Sequence, residues 1–142
     1  MDLSEIKAKT KDLHITHPGT GLPLGWVFEL VFPGHPRIIA AETQHGKRVH
    51  KRNGDLDVKA QRTLMIEISA ASVENWRFEN EDGTPSKFTI RGDKPSFDRD
   101  MLRGYFEDAQ YGWLREQIAA AYEDRSDFFP ASPVNSKASA KS

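Results

Sequence analysis

The 142-residue chain contains no cysteine, which excludes disulfide frameworks, iron–sulfur clusters, cysteine-ligated zinc and thiol catalysis together. It has no apolar run near the ~18 residues that a membrane-spanning helix requires. It also lacks a charge of one sign: 20 basic residues face 21 acidic ones, for a formal net charge of -1. A chain so balanced does not gather polyanions, so sequence-independent coating of nucleic acid is disfavoured. The start Met1-Asp2-Leu3-Ser4-Glu5-Ile6 has neither the basic opening nor the apolar stretch of a secretory leader, and a cytoplasmic location is expected. Catalytic signatures are missing too, with no Gly-x-Ser-x-Gly elbow, Walker-type phosphate loop, Rossmann glycine pattern or kinase set. No enzyme activity and no cofactor are expected.

What remains is a chain with 37% hydrophobic, 29% charged and 10% aromatic residues, enough for one modest core. Residues 1–12 are mostly polar, with Leu3 and Ile6 as large apolar residues, and read as a flexible arm. Leu13 to Thr16 and Trp26 to Phe32 read as antiparallel strands joined by the turn-rich Pro18–Gly25 segment, with Trp26, Phe28, Leu30 and Phe32 alternating onto one face. Pro36 opens a helix that weakens beyond Ala41, and 45–55 reads as a frayed end or loop. Val58, Leu64, Met65, Ile68 and Ala71 recur at helical spacing and predict a central helix over about 57–73. Residues 74–79 and 87–90 alternate around an Asn80–Pro85 turn, predicting a short second hairpin. Ser96 is a candidate N-cap for a helix carrying Phe97, Met101, Leu102, Tyr105 and Phe106. A last helix over about 111–124 places Trp113, Leu114, Ile118, Ala121 and Tyr122 on one side. Residues 131–142 are rich in Ser, Ala and Lys and predict a disordered tail.

The fold class expected is therefore α+β: an N-terminal β-hairpin, a central helix, a short second hairpin and two C-terminal helices within a single domain over 13–130. Few side chains suggest chemistry. His14 and His17, or His45 and His50, have metal-like spacing, but a Pro/Gly loop and a basic loop are poor places for a cation, so no metal site is expected. Lys47, Arg48, Lys51 and Arg52 form a basic run without interleaved aromatics, which reads as a solvated loop. Arg91-Gly92-Asp93 spells an adhesion tripeptide and reads as a loop before Pro95. The aromatic residues of the second half exceed what a small core readily covers, and Trp76, Phe78, Tyr111 and Trp113 are the candidate partner contacts.

The stretch Trp76 through Asn80-Glu81-Asp82-Gly83-Thr84-Pro85-Ser86-Lys87-Phe88, a helix, Tyr111-Gly112-Trp113-Leu114-Arg115-Glu116-Gln117-Ile118, and Asp124-Arg125-Ser126-Asp127-Phe128-Phe129 resembles the tail assembly chaperones of long-tailed bacteriophages. Similar features in that family are a Trp before an acidic-Gly turn, a Pro-x-x-Phe exit, a Trp-Leu start to the last helix and a terminal Arg-x-x-Phe. The Pro18–Pro23 segment before a Trp-bearing strand fits as well, and the similar parts cover about 13–130. Residues 43–56 depart from the pattern, being more basic and glycine-interrupted than the long helix the family implies. The resemblance implies a non-catalytic protein of the host cell cytoplasm, absent from the mature virion. It would bind and solubilise the tape measure protein and help recruit tail tube subunits. It also implies a frameshifted longer form, for which the segment after Ala131 is a suitable place. A homo-oligomer is left open. The rival expectations are a small nucleic-acid or nucleoprotein adaptor using Lys47, Arg48, Lys51 and Arg52, and a structural tail or head–tail connector subunit.

Overall fold

The computed structural model describes residues 2–129. The turn formers wrap around His17, whose Nδ1 accepts from the N–H groups of Gly19 and Thr20 at 3.0 and 3.1 Å. That turn joins β1 (Lys11–Thr16) to β2 (Pro23–Leu30) as an antiparallel pair with Leu13 opposite Phe28. β1 begins inside the expected flexible arm: Lys11 and Asp12 are strand residues, Leu3–Glu5 form a short 3-10 turn, and Lys9 N–H donates to the Phe128 carbonyl at 2.9 Å. The expected tail, 131–142, lies outside the described residues.

The second hairpin is not formed. β3 (Val73–Phe78) instead adds to the far side of β2, giving one antiparallel sheet in the order β1-β2-β3, with Trp76 opposite Phe28 and Phe78 opposite Trp26. The cause is aromatic matching across strands: the Trp26 and Trp76 rings meet edge to face at 5.4 Å and Phe28 stacks on Trp76 at 6.2 Å, contacts that the short 87–90 segment cannot equal. That segment leaves the sheet after a single Glu79–Pro85 bridge, with Phe88 N–H donating to the Ser86 hydroxyl at 3.0 Å.

Helix α1 (Pro36–Gly46) is longer than its sequence suggests; His35 Nδ1 caps it by accepting from Arg37 N–H at 3.1 Å. Helix α2 (Val58–Ser72) is capped by Asp57, whose carboxylate accepts from Ala60 N–H at 3.0 Å. Its buried face is Ile66, Ser69, Ala70, Ala71 and Ser72, so the expected stripe is met only in part: Ala71 is buried, Leu64 and Ile68 are half-buried, and Val58 is 72% exposed and Met65 42%. Small residues rather than bulky ones let α2 approach the sheet. The Ser69 and Ser72 hydroxyls are satisfied by the carbonyls of Met65 and Ile68 at 2.8 and 2.7 Å, so burying them leaves no orphaned donor.

α2 runs directly into β3, leaving its terminal carbonyls without a glycine cap. Two arginines fill that role. Arg37 donates from Nε to the Ala71 carbonyl at 2.8 Å, and Arg99 from Nε to Ala70 at 3.1 Å and from Nη2 to Val73 at 2.7 Å. Val31 N–H takes the Ser72 carbonyl at 2.9 Å. Burial and the neighbouring Arg37 charge lower the pKa of Arg99, and the helix dipole and carbonyls favour its cationic form there.

α3 (Arg99–Glu107) is capped by Asp98, not Ser96: the Asp98 carboxylate accepts from Asp100 and Met101 N–H at 2.9 and 3.1 Å. A 3-10 turn (Ala109–Tyr111) leads into α4 (Gly112–Ala121). Gln117 of α4 both donates to and accepts from the Thr16 backbone, at 2.8 and 2.9 Å, covering the end of the β1 edge as a strand would. Ile15, Trp26, Phe28, Leu30 and Trp76 of the sheet meet Ile66, Leu102, Phe106, Leu114, Ile118 and Phe128 in one core. The architecture is α+β, as expected. Among the described residues no helix is long and apolar enough to cross a membrane.

Candidate partner-binding groove

The elbow between α3 and α4 opens onto a concave surface. Asp108 fixes it, its N–H donating to the Tyr105 carbonyl at 3.2 Å and its carboxylate accepting from Gln110 N–H at 2.9 Å. Tyr111 and Trp113 line a groove of about 420 Å³ together with the half-buried Phe88, Ile90 and Tyr105 and the buried Trp26. The lining rings hold one another: Trp26 stacks on Phe88 at 5.7 Å, and Tyr105 meets Trp26 at 6.3 Å and Tyr111 at 5.9 Å edge to face. Burial holds the Tyr105 phenol above its ordinary pKa, against the opposing charge of Arg91. A walled apolar cavity with a few polar groups at its mouth is the form that recognition sites take.

Two residues at the groove run against local backbone preference. Gly104 sits inside α3, where glycine costs about 0.5–1 kcal/mol relative to alanine, yet a Cβ there would meet nothing within 4 Å. A side chain at 104 is excluded by no contact of the fold, and the residue is part of the groove's lining. Arg91 has φ 53° and Gly92 φ 80°, enclosed by reciprocal backbone hydrogen bonds between Ile90 and Asp93 at 2.7 and 3.1 Å. This is a two-residue hairpin turn of the kind that favours Asn-Gly, so arginine is an unfavourable choice for its first position.

Of the four candidate contacts, the groove brings together Tyr111 and Trp113, both half-buried. Trp76 is a correction. It is 3% exposed, and its indole N–H donates to the Pro95 carbonyl at 2.9 Å, so it is a core residue closed to any partner. Phe78 does not line the groove. It is half-buried, stacked between Trp26 and Phe88 at 6.3 Å from each, and supports the wall from behind. Gly104, Arg91, Phe88 and Tyr105 were not candidates from sequence. The unusual Arg-Gly turn dipeptide was the available signal for Arg91.

The other sequence features have structural occupations or stand alone. His17 and His35 accept backbone hydrogen bonds at a turn and a helix start, and among the described residues no three His, Asp or Glu side chains converge as a metal site would require. Lys47, Arg48, Lys51 and Arg52 are exposed on the α1–α2 connection, and none forms an ion pair among the described residues. On the sheet, Arg77 bridges Asp12, Glu29 and Glu79 across all three strands at 2.7, 3.4 and 3.2 Å; its hydrogen bonds hold the Asp12 carboxyl below its ordinary pKa. Compared with known proteins, the chain matches no family model, no curated protein and no solved structure.

Proposed function

We propose that the protein is a non-catalytic assembly chaperone that holds an apolar segment of an aggregation-prone phage tail protein, the tape measure protein, in the groove between the 88–91 segment and the α3–α4 elbow. The observation that carries this reading is the aromatic groove of about 420 Å³ lined by Tyr111 and Trp113. The resemblance to tail assembly chaperones supplies the partner class. Gly104 adds support, because a helix interior that gives up stability to keep one spot bare is expected where something else must lie. Apolar segments of a long helical partner are bound in this way by laying a large side chain into a groove, weakly at each site and repeatedly along the partner.

The test is a pull-down of the tape measure protein encoded in the same genome, co-expressed with wild-type chain, Trp113→Ala and Gly104→Leu. Gly104→Leu raises helix propensity by about 0.5–1 kcal/mol while filling the mouth, so it is expected to melt no lower than wild type and to bind at least about tenfold more weakly. Undiminished capture by both variants would overturn the reading.

A second reading rests on the four cations of the α1–α2 connection, which form no ion pair among the described residues. If they contact nucleic acid, replacing all four with alanine lowers the salt dependence of DNA retention by about three to four charges and leaves tail-protein capture intact.

A further inference from the structure

The rim of the groove carries an uncommitted charge. Arg91 stands at its mouth, close enough to Tyr105 for its charge to act on that phenol, and it forms no ion pair among the described residues. The neighbouring charged groups are occupied. Lys94 donates from Nζ to the Ser86 carbonyl, Asp93 accepts from Lys94 N–H at 2.8 Å, and Asp108 keeps its carboxylate on Gln110 N–H at 2.9 Å. Arg91 is held at φ 53° in a turn whose other central residue is glycine. Asparagine or glycine at 91 would suit that backbone better, so the fold draws no benefit from the guanidinium that offsets its strain.

We infer that the groove reads an acidic residue beside the buried anchor of its partner: a large aromatic side chain of the bound segment fills the cavity, and the Arg91 guanidinium pairs with a carboxylate flanking that anchor. The occupant is a protein segment of aromatic-plus-acidic composition. This deepens the proposed function and rests on it. Arginine suits the task because its planar fork takes a carboxylate through two parallel hydrogen bonds while its flat face lies against aromatic rings. The apolar walls raise the strength of such a pair above that of a fully solvated one, and they place a cost on a like charge at the same point.

The three tryptophans provide the readout. Trp26 and Trp113 line the groove, whereas the Trp76 indole is committed to Pro95. The probes are synthetic peptides of about twelve residues, one with a Trp between two Glu, a twin with Lys for both Glu, and a twin with Ala for the Trp. They are titrated into the 15N-labelled full chain while the indole N–H signals are followed. The Glu peptide is expected to move the Trp113 and Trp26 signals and leave Trp76 in place, to bind about fivefold tighter than the Lys twin, and to outbind the Ala twin. Arg91→Asn is expected to bring the Glu-to-Lys ratio close to one while raising the melting temperature, a pair of opposite effects that a purely structural role for Arg91 would not produce. Equal binding of the Glu and Lys twins, or a ratio that survives Arg91→Asn, overturns the inference and leaves the apolar groove intact. Failure of every peptide to move Trp113 also counts against it. Only loss of groove dependence in the tail-protein pull-down overturns the function beneath it.

Discussion

Gly25 is where the strand and the groove wall touch, and its replacement by alanine follows directly from geometry. It lies in β2 with φ 87°, and an added Cβ would stand 2.1 Å from the Ser86 hydroxyl oxygen and 2.8 Å from the Ser86 Cβ. Left-handed backbone costs an L-residue about 1–2 kcal/mol. Ser86 is 2% exposed and holds Phe88 N–H, so it cannot swing into solvent, and forced overpacking of this kind costs about 1–3 kcal/mol. Gly25→Ala should therefore destabilise the chain by about 2–5 kcal/mol, a large part of the ~5–15 kcal/mol of a typical domain, and lower the melting temperature by roughly 10 °C or more. Thermal and urea unfolding measure it. Combining Gly25→Ala with Ser86→Gly removes the collision but not the backbone strain, so the double variant should be more stable than the two single losses predict by addition. A Gly25→Ala loss under about 1 kcal/mol, or strict additivity with Ser86→Gly, would refute the account of how the 80–88 segment is seated.

Three further outcomes are expected. Leu114, 2% exposed in the core, tolerates no charge: Leu114→Asp costs more than about 4 kcal/mol and should abolish the cooperative melt, whereas an unchanged melt contradicts the α4 packing. Burial pushes the Tyr122 phenol up to about 12 from 10.0, and its hydroxyl donates to the Val31 carbonyl at 2.6 Å. Because the folded pKa is the higher one, this contribution is complete below pH 10 and is lost as pH rises towards 12, by about 3 kcal/mol in all. Tyr122→Phe should lose about 1 kcal/mol at neutral pH and show a shallower alkaline decline in urea-unfolding stability; an unaltered decline would contradict the assignment. Arg99→Ala leaves two carbonyls at the α2–β3 junction without its guanidinium and should cost about 1–3 kcal/mol. Lysine should not restore it, since one ammonium lacks the two-pronged reach, and calorimetry of the three forms decides.

The strand and helix order was legible because β-branched and aromatic alternation and helical spacing are properties of bulky residues. Sequence pattern is a poor guide where small or polar residues determine the outcome. α2 buries Ser69 and Ala70 rather than Met65, and a pattern weighted by bulk finds only part of that face. The roles of Arg37 and Arg99 are not legible in the sequence, since nothing local shows that a distant helix end has carbonyls in need of donors. Sequence proximity favours a local hairpin for the 74–79 segment, whereas Trp76 finds its match in Phe28, far back in the chain. The groove was half visible. Tyr111 and Trp113 stood out as aromatics, but Trp76 did too, and only the Pro95 hydrogen bond and its burial separate core from wall. Gly104 carried no signal beyond being a glycine within a helical pattern.

The central claim is tested most directly by the soluble fraction of the tape measure protein from the same genome, expressed alone, with the wild-type chain and with Gly104→Leu. The account predicts aggregation of the partner alone, a soluble complex with wild type, and a return to aggregation with a folded Gly104→Leu chain. Equal solubility in all three, or full rescue by Gly104→Leu, would contradict it.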